Sequence, residues 1–346
     1  MKKILIGCVL AAGLLLGGCG TDAVPSSSSA ETDAPSSQSQ ELYAMDTVMT
    51  LTAYGPQAKK ALNDAADEIE RLDALWSISS SDGDIARLNT DKQAALSDDT
   101  IALLKRAQEI SASTGGLFAC TIEPVMEAWD FTNGNYTVPD TATLQSLLAH
   151  VDDTQIAIDG STVTIPADVK VDLGGIAKGF TSDRVMELFA ADGVTSGIIS
   201  LGGNVQTLGT KPDGSLWRVG IQDPDDSSDI IATIEVADKA VITSGGYQRY
   251  FEQNGTTYHH IIDPRTGMPA DSGLTSVTIV SDDGTLADGL STSLFIMGKE
   301  AALDYWRAHR GDFDVILVAS DGSVTISEGL ADCCTLSDGS TPEVAQ

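Results

Sequence analysis

The segment "YQRYFEQNGTTYHHII", residues 247–262, has the pattern of a β-hairpin. Asn254-Gly255 separates two runs rich in Tyr and Thr, and this dipeptide favours the two-residue turn that joins antiparallel strands. Four more short apolar runs precede it: "SGIISLGGN" (196–204), "LWRVGIQDP" (216–224), "IIATIEV" (230–236) and "AVITSGG" (240–246). These strands cluster in sequence instead of alternating strictly with helices. We therefore predict an α+β fold rather than a doubly wound parallel sheet.

Helical patterns lie on both sides of this strand-rich region. Apolar residues at helical spacing predict amphipathic helices over 57–76 and 99–113. Towards the C-terminus, "LADGLSTSLFIMG" (286–298) and "EAALDYWRAHR" (300–310) are also predicted to be helical. A strand is expected at 43–55 and another at 276–283, and hairpins are expected at 154–171 and 313–327.

The length and composition of the chain limit the classes of function that it can have. The chain has 346 residues, 42% of them apolar, and a formal net charge of −30 at pH 7. Its length is sufficient to bury one large core or two smaller ones. Because nucleic acid is itself strongly anionic, the charge argues against a nucleic-acid-binding protein.

The N-terminus has the features of a secretion signal. Lys2 and Lys3 precede an apolar segment, residues 4–16, that is too short to span a bilayer comfortably. The following Leu-Gly-Gly-Cys19 resembles a bacterial lipobox, which implies cleavage before Cys19 and diacylglycerol attachment to its thiol. The alternative is an ordinary signal peptide with a chance cysteine.

These features predict a domain organisation and a location. Residues 20–40 are rich in Ser and nearly devoid of large apolar side chains, so this segment is expected to be a flexible tether. We predict a signal peptide at 1–18, the lipidated Cys19 with its tether at 19–40, a folded domain at 41–332 and a C-terminal tail at 333–346. The protein is then extracytoplasmic and touches the membrane through its lipid anchor only.

The remaining cysteines are Cys120, Cys333 and Cys334. Without a CxxC motif or histidines at zinc-like spacing, they argue against a structural metal site or a disulfide framework. A disulfide between the adjacent Cys333 and Cys334 is left open.

The segment "DLGGIAKG", residues 172–179, combines a glycine turn with the start of a helix. Gly174 and Gly175 permit close approach of a ligand to the backbone, and the helix N-terminus favours an anion such as phosphate. Lys178 adds a positive charge. The segment matches neither standard nucleotide-binding fingerprint, and a plain strand-to-helix turn is the alternative interpretation.

A second candidate site lies in "ADGLSTSLFIMG", residues 287–298. Asp288 and Thr292 are four residues apart, so a helix places both on one face, with Ser291 beside them. A carboxylate and hydroxyls in this arrangement suit a hard cation such as Mg2+. The alternative is an N-capping Asp288 with a solvent-facing Thr292.

The third candidate is "HIIDPRTG", residues 260–267, where His260 follows a strand and precedes a rigid turn. A histidine held there can accept a proton near neutral pH, although a structural role is the alternative. Strand alternation directs the neighbouring His259 to the opposite face, so we expect His259 to be structural.

Seven segments occur together in the order and spacing of one family: "MDTVMTLTAYG", "DIARLN", "SASTGGLF", "VDLGGIAKGF", "SLGGN", "TSGGYQRYFEQNGTTYHHIIDPRTGMP" and "ADGLSTSLFIMG". On these segments the chain resembles the ApbE family of flavin transferases over roughly residues 42–330. The resemblance implies a T-fold-like α+β architecture, with mixed or antiparallel sheets, flanking helices and a cleft between two parts that holds FAD. It identifies the predicted domain at 41–332 as an ApbE-like catalytic domain.

The resemblance also implies an activity. Such enzymes are extracytoplasmic lipoproteins that transfer FMN from FAD to a Thr or Ser hydroxyl of an acceptor protein, through a phosphoester bond. The reaction requires Mg2+ and releases AMP. Acceptors are electron-transfer subunits of the Nqr and Rnf type or FMN-binding-domain proteins. Because this chain has no acceptor pattern resembling D-x-x-[ST]-G-A-[ST], we expect it to modify a partner.

Site residues follow from the same resemblance. The side chains of Asp288, Ser291 and Thr292 and the carbonyl of Gly175 are expected to hold Mg2+. His260 is the candidate base, a role that Asp288 would share. The positions expected to contact FAD are Met45, Leu117, Phe118, Asp172, Lys178 and Ile262.

Two positions depart from the family pattern. Ala119 stands where the family usually has an acidic residue, and Ser79 stands at about the position of a common aromatic residue. Both departures concern the FAD pocket. Two alternatives to the transferase are left open. One is a Mg2+-dependent FAD pyrophosphatase that yields FMN and AMP, since the same metal site would serve both reactions, and the other, which the two departures allow, is a non-catalytic flavin-binding lipoprotein.

Overall fold

A computed structural model describes residues 36–131 and 134–346 of the chain. The predicted signal peptide, the lipidation at Cys19 and the tether up to residue 35 lie outside these residues. Within the described ranges, none of the helices combines the length and the apolarity that crossing a membrane requires.

Helices and strands are interspersed along the described chain. The α-helices are α1 (Ala58–Trp76), α2 (Asp84–Asp91), α3 (Asp98–Ser113), α4 (Glu123–Trp129), α5 (Thr141–Leu148), α6 (Ala177–Ala191), α7 (Gly284–Met297) and α8 (Lys299–Ala308). The strands are β1 (Ser37–Ala44), β2 (Thr47–Tyr54), β3 (Gln93–Ala95), β4 (Ala157–Asp159), β5 (Thr162–Thr164), β6 (Gly197–Leu201), β7 (Asn204–Leu208), β8 (Trp217–Gln222), β9 (Ile230–Val236), β10 (Ala240–Gly245), β11 (Tyr250–Gln253), β12 (Thr256–His259), β13 (Leu274–Ser281), β14 (Asp314–Ala319), β15 (Val324–Ser327), β16 (Cys334–Leu336) and β17 (Glu343–Ala345). This content confirms the predicted α+β class.

A nine-stranded sheet forms the centre of the fold, in the order β1-β2-β6-β7-β10-β13-β14-β15-β17. Its neighbouring strands are antiparallel except for the parallel pair β15–β17. Three smaller sheets accompany it: β11-β12, β16-β9-β8 and β3-β5-β4. The predicted hairpins at 154–171, 247–262 and 313–327 are present as β4–β5, β11–β12 and β14–β15.

The central strands are buried on both faces. In β10, Ile242 packs in the core that contains α7 and α8, while its neighbour Val241 packs against the β16-β9-β8 sheet. Leu317 and Ile316 of β14 divide between the two cores in the same way. Because side chains alternate across a strand, one continuous apolar run fills both layers. A further core between α1, α6 and strands β1, β2 and β6 covers one end of the sheet.

An aromatic cluster fixes the hairpin that precedes His260. Trp129 of α4 stacks with Phe131 and contacts both Phe251 and Tyr258 of the hairpin, with ring centroids 5.5–6.3 Å apart. The Trp129 indole N–H also donates to the carbonyl of Gly267 at 2.7 Å. The rigid turn after His260 is therefore attached to α4 as well as to its own hairpin.

The predicted single strand at 43–55 is wrong, because it is two strands. Ala44 pairs with Thr47, which leaves Met45 and Asp46 as a two-residue hairpin loop. Both loop residues have positive φ, 48° and 57°, as a turn of this length requires. Neither is the Gly or Asn that normally signals such a turn, so the sequence pattern hid it.

The folded region extends beyond the predicted domain, 41–332, at both ends. Strand β1 begins at Ser37, before the expected start at residue 41. The residues expected to form a tail contribute β16, which pairs with β9, and β17, which pairs with β15. Cys334 and Leu336 are buried in the core against β9, and the three described cysteines are free thiols.

Replacing Leu336 with Ala should therefore destabilise the whole domain. Leu336 is 7% exposed, and its truncation removes buried apolar contacts, at a cost of about 2–4 kcal/mol in the free energy of unfolding. Val344→Ala in β17 is the matched control, since Val344 is 41% exposed and its truncation should cost about 0.5 kcal/mol. Urea denaturation of both variants measures the difference. Equal midpoints for Leu336→Ala and the unmodified protein would show that β16 is dispensable.

Candidate active site

The carboxylate of Asp288 joins three elements of the fold. Asp288 lies within α7 and is 5% exposed. One of its oxygens accepts the backbone N–H of Gly179 in α6 at 2.8 Å, and the other accepts the side-chain amide of Asn204 in β7 at 3.0 Å. Asp288 is not the N-cap of α7, because Asp283 caps that helix by accepting the N–H of Leu286.

A glycine permits this contact between the helices. A Cβ on Gly179 would lie 2.7 Å from the Cβ of Asp288 and would clash with the carbonyl of Gly284. Asp183 of α6 also accepts the N–H groups of Gly284 and Thr285 at 2.8 Å, which fixes the start of α7 against α6. Contacts between backbone groups of α6 and α7 thus fix the position of the Asp288 carboxylate.

Hydroxyl groups lie on the same turn of α7. Ser291 is fully buried and donates to the carbonyl of Asp288 at 2.8 Å. Ser244 of β10 lies 2.7 Å from the Ser291 hydroxyl and 3.2 Å from that of Thr292. Thr292 is half-buried, and its hydroxyl can accept or donate further hydrogen bonds or bind a cation.

The carbonyl of Gly175 is free to take a ligand. Gly175 is exposed and precedes Ile176, the N-cap of α6, so its carbonyl lies outside the hydrogen-bond ladder of that helix. No hydrogen bond to the Gly175 oxygen is found among the residues that the structure describes. The Gly175 carbonyl oxygen therefore remains available to a ligand just before α6 begins.

These oxygens fit a hard divalent cation. A carboxylate has about four lone-pair sites, so Asp288 retains acceptor capacity beyond its hydrogen bonds to Gly179 and Asn204. The donor set is one carboxylate, hydroxyls and a carbonyl, which suits Mg2+ better than a soft metal. In the described part of the chain, no cluster of three or more His, Cys, Asp or Glu side chains is arranged to bind a metal.

Lys178 is the positive charge at the centre of the site. It acts electrostatically on three predicted site residues: Asp172, Asp288 and His260. Burial raises the pKa of the Asp172 and Asp288 carboxyls, and Lys178 opposes that shift in both. Asp172 also accepts the N–H of Gly174 at 2.9 Å, which shapes the glycine turn.

The ring of His260 is oriented by Arg249. Its Nδ1 lies 3.2 Å from the carbonyl of Arg249, and the His260 backbone N–H donates to the same oxygen. Since a carbonyl only accepts, Nδ1 carries the proton in the neutral ring and Nε2 keeps a free lone pair. The half-buried ring lies in dense surroundings, and lost solvation, followed by the Arg249 charge, lowers its pKa to about 3. The imidazole is therefore neutral at physiological pH.

His259 has a structural environment. Its Nε2 lies 3.0 Å from the carbonyl of Ala270, and its Nδ1 accepts the N–H of Ile261. The ring packs edge-on against Phe295, and burial lowers its pKa. Both ring nitrogens are thus used within the protein.

The residues expected to contact FAD divide into two groups. Met45, Asp172 and Lys178 lie at or near the surface of the site, and the Met45 sulfur accepts from Thr181 of α6 at 3.7 Å. Three others are buried in the protein: Leu117, Phe118 and Ile262. Phe118 lies directly beneath Gly175, and Ile262 belongs to the aromatic cluster around Trp129. Their side chains pack beneath the surface of the protein and have little exposed area that a ligand could contact.

Sequence reasoning missed four residues that build the site: Asn204, Ser244, Arg249 and Asp183. Asn204 directly follows the glycines of "SLGGN", and Ser244 directly precedes those of "TSGG", so both adjoin glycine-marked segments that indicate close approach of the backbone. The Arg249 guanidinium donates to the carbonyl of Asp46 at 3.3 Å and so joins the β11–β12 and β1–β2 hairpins. Its place in the strand-like "YQRYF" gave no sign of this.

Comparisons with known proteins identify the family of the chain. The model of the ApbE family matches residues 45–317. An FAD:protein FMN transferase from Treponema pallidum is 32% identical over 79% of this chain and 80% of its own length. One from Klebsiella pneumoniae is 34% identical over 65% of this chain and 70% of its own length.

Solved structures share the fold. An ApbE protein from Thermotoga maritima superimposes with a TM-score of 0.80 at 29% identity, over 85% of this chain and 98% of its own. The flavin transferase ApbE from Vibrio cholerae gives a TM-score of 0.77 at 26% identity, over 86% and 99%. With the family model matched across most of its length and the relatives aligned over most of theirs, the chain belongs to the ApbE family.

Proposed function

We propose that this protein is a Mg2+-dependent flavin transferase that moves FMN from FAD to a Thr or Ser hydroxyl of another protein. The observation that carries the proposal is the buried Asp288 carboxylate, which retains acceptor capacity and lies on the same turn of α7 as the Ser291 and Thr292 hydroxyls. The names of the relatives, FAD:protein FMN transferase, support the same reaction.

The reaction is a displacement at the FMN phosphorus. The hydroxyl oxygen of the acceptor forms a new P–O bond, the bond to the AMP phosphate breaks, and AMP leaves with the electron pair. Asp288, Thr292 and Gly175 would hold Mg2+, while Ser291 supports the set through its bond to the Asp288 carbonyl. When bound, the ion neutralises charge on the pyrophosphate and on the departing AMP.

The chain's own residues position the substrate and remove one proton. Lys178 supplies a fixed positive charge beside Asp288, where the pyrophosphate would lie. The Nε2 of His260 accepts the proton of the attacking hydroxyl, and the Arg249 carbonyl holds the ring in that tautomer. Negative charge on a bound pyrophosphate raises the low pKa of His260, which makes the ring a stronger base in the complex. Because both Asp288 oxygens already accept hydrogen bonds, we assign Asp288 to the metal rather than to proton transfer.

The cellular setting is part of the proposal. The lipobox-like Cys19 and the strongly acidic composition support an extracytoplasmic lipoprotein anchored to the cell membrane. An enzyme so tethered would meet acceptors on the same membrane, such as subunits of the Nqr or Rnf type or FMN-binding-domain proteins.

Incubation with FAD, Mg2+ and an FMN-binding acceptor domain tests the reaction. We expect a fluorescent covalent acceptor band and one AMP per flavin transferred. The hydrolase alternative gives AMP without a band, since water then replaces the acceptor, and the flavin-binding alternative gives neither product. Either of those results would overturn the proposed transfer. Omission of the acceptor and addition of a chelator are the controls.

Asp288→Asn tests whether Asp288 is a ligand of Mg2+. The amide keeps the size of the side chain but removes its negative charge, so we expect transfer to fall about 100-fold or more and the Mg2+ requirement to rise. Asp283→Asn is the matched control in the same helix, because Asn also caps a helix N-terminus. Initial rates over a Mg2+ titration provide the measurement. An Asp288→Asn enzyme with the normal Mg2+ dependence would contradict the assignment.

His260→Ala tests the base. Loss of the proton acceptor should reduce transfer by about 10²–10⁴-fold while FAD binding, measured by flavin fluorescence, stays near its normal value. His150→Ala, after α5, is the control for removal of a histidine. If the His260→Ala enzyme transferred FMN at the normal rate, another group would have to accept the proton.

A further inference from the structure

A cavity of about 480 Å3 opens beside the site, between the segment after α1, helix α2 and helix α4. The residues relevant to its chemistry are Ser79, Asn89, Glu123, Glu127 and Lys170. Lys170 precedes Asp172 by two residues on the segment that leads into the Gly174 turn. The cavity therefore adjoins the place where the pyrophosphate would lie.

Most polar groups of the cavity wall are already paired. Lys170 forms an ion pair with Glu127 at 2.7 Å. The Asn89 side chain both donates to the carbonyl of Val171 and accepts its N–H. These groups hold the wall together and have little capacity left for a ligand.

Glu123 differs from them. It is 5% exposed, lines the cavity and has no hydrogen bond or ion pair within residues 36–131 and 134–346. Buried polar side chains normally have such a partner. A buried carboxyl without one, at the wall of a cavity, is a group that a ligand can satisfy.

The surroundings of Glu123 keep its carboxyl protonated. Burial, followed by the negative charges of Asp172 and Glu127, raises its pKa to about 8, while Lys170 acts in the opposite direction. At pH 7 the group therefore offers an O–H donor and a C=O acceptor side by side. Above pH 8 it becomes a carboxylate, which only accepts.

The chemistry of the transfer indicates which half of FAD enters the cavity. The acceptor protein must reach the FMN phosphorus and carries the flavin away, so the flavin half has to lie on the accessible side, by His260. The AMP half stays behind and is released as a small molecule. Its adenine presents an acceptor, N1, next to a donor, the N6 amine, and this pair complements a neutral carboxyl.

We propose that Glu123 is a specificity-determining residue that binds the N1–N6 edge of the adenine of FAD in this cavity. Its O–H donates to N1, and its C=O accepts from the N6 amine. This inference rests on the proposed function, because it takes FAD as the substrate.

Binding of FAD, adenosine and riboflavin between pH 6 and 9.5 tests the inference, with the full-length protein and three variants: Glu123→Gln, Glu123→Leu and Glu127→Gln. Adenosine has no group that titrates in this range. For the unmodified protein, affinity for FAD and adenosine should fall about tenfold as the pH rises through 8, because the O–H donor is lost. Riboflavin binding should not change.

The variants separate the possible causes of this pH dependence. Glu123→Gln offers an N–H and a C=O at every pH, so it should bind adenosine well with a flat pH profile. Glu123→Leu should bind adenosine about tenfold more weakly at pH 6.5, with riboflavin binding as the check on folding. Glu127→Gln, the control on the same wall, should keep the pH step of the unmodified protein.

Two results would overturn the inference: a pH step in riboflavin binding instead of adenosine binding, or a pH step that persists in Glu123→Gln. If Glu123→Leu does not fold, the pH profile of adenosine binding to Glu123→Gln still tests the inference. The proposed function is tested separately, by FMN transfer from FAD to the acceptor domain in the unmodified protein at pH 7. Absence of transfer with an intact adenosine pH step would refute the transferase and leave the adenine contact standing.

Discussion

The hydrogen bond from the Gly179 N–H to the Asp288 carboxylate is the interaction on which the site depends. It brings α6 and α7 so close that only glycine fits at position 179. It orients the Asp288 carboxylate, the acidic side chain of the proposed Mg2+ site, and it uses an N–H group at the start of α6 that has no acceptor within the helix. A single contact between helices thus both positions a candidate metal ligand and satisfies a helix terminus.

The rest of the fold holds that contact in place. Helix α7 packs on strands that are buried on both faces, and Asp183 fixes its first turn. On the other side of the site, the Trp129 cluster attaches the β11–β12 hairpin to α4, and the Arg249 carbonyl orients His260. Asp288 and His260 are therefore each positioned by contacts to packed elements, Asp288 by α6 and β7 and His260 by the hairpin attached to α4.

Local patterns were enough to predict much of this arrangement. The helices at 57–76 and 99–113, the Asn254-Gly255 hairpin, and Asp288 and Thr292 on one helix turn follow from spacing alone. Asn204, Ser244 and Arg249 could not be found in this way, because each meets its partner from a distant segment. The Met45-Asp46 turn and the strands β16 and β17 were missed because tertiary pairing, rather than turn-forming residues or long apolar runs, specifies them.

A crystal structure of the protein with FAD and Mn2+ in place of Mg2+ would locate the proposed metal site, since the ion scatters anomalously. We expect a peak about 2 Å from an Asp288 carboxylate oxygen, with the Thr292 hydroxyl and the Gly175 carbonyl as further ligands and the pyrophosphate completing the coordination. A fully occupied ion on the pyrophosphate that touches neither Asp288 nor Gly175 would contradict this expectation.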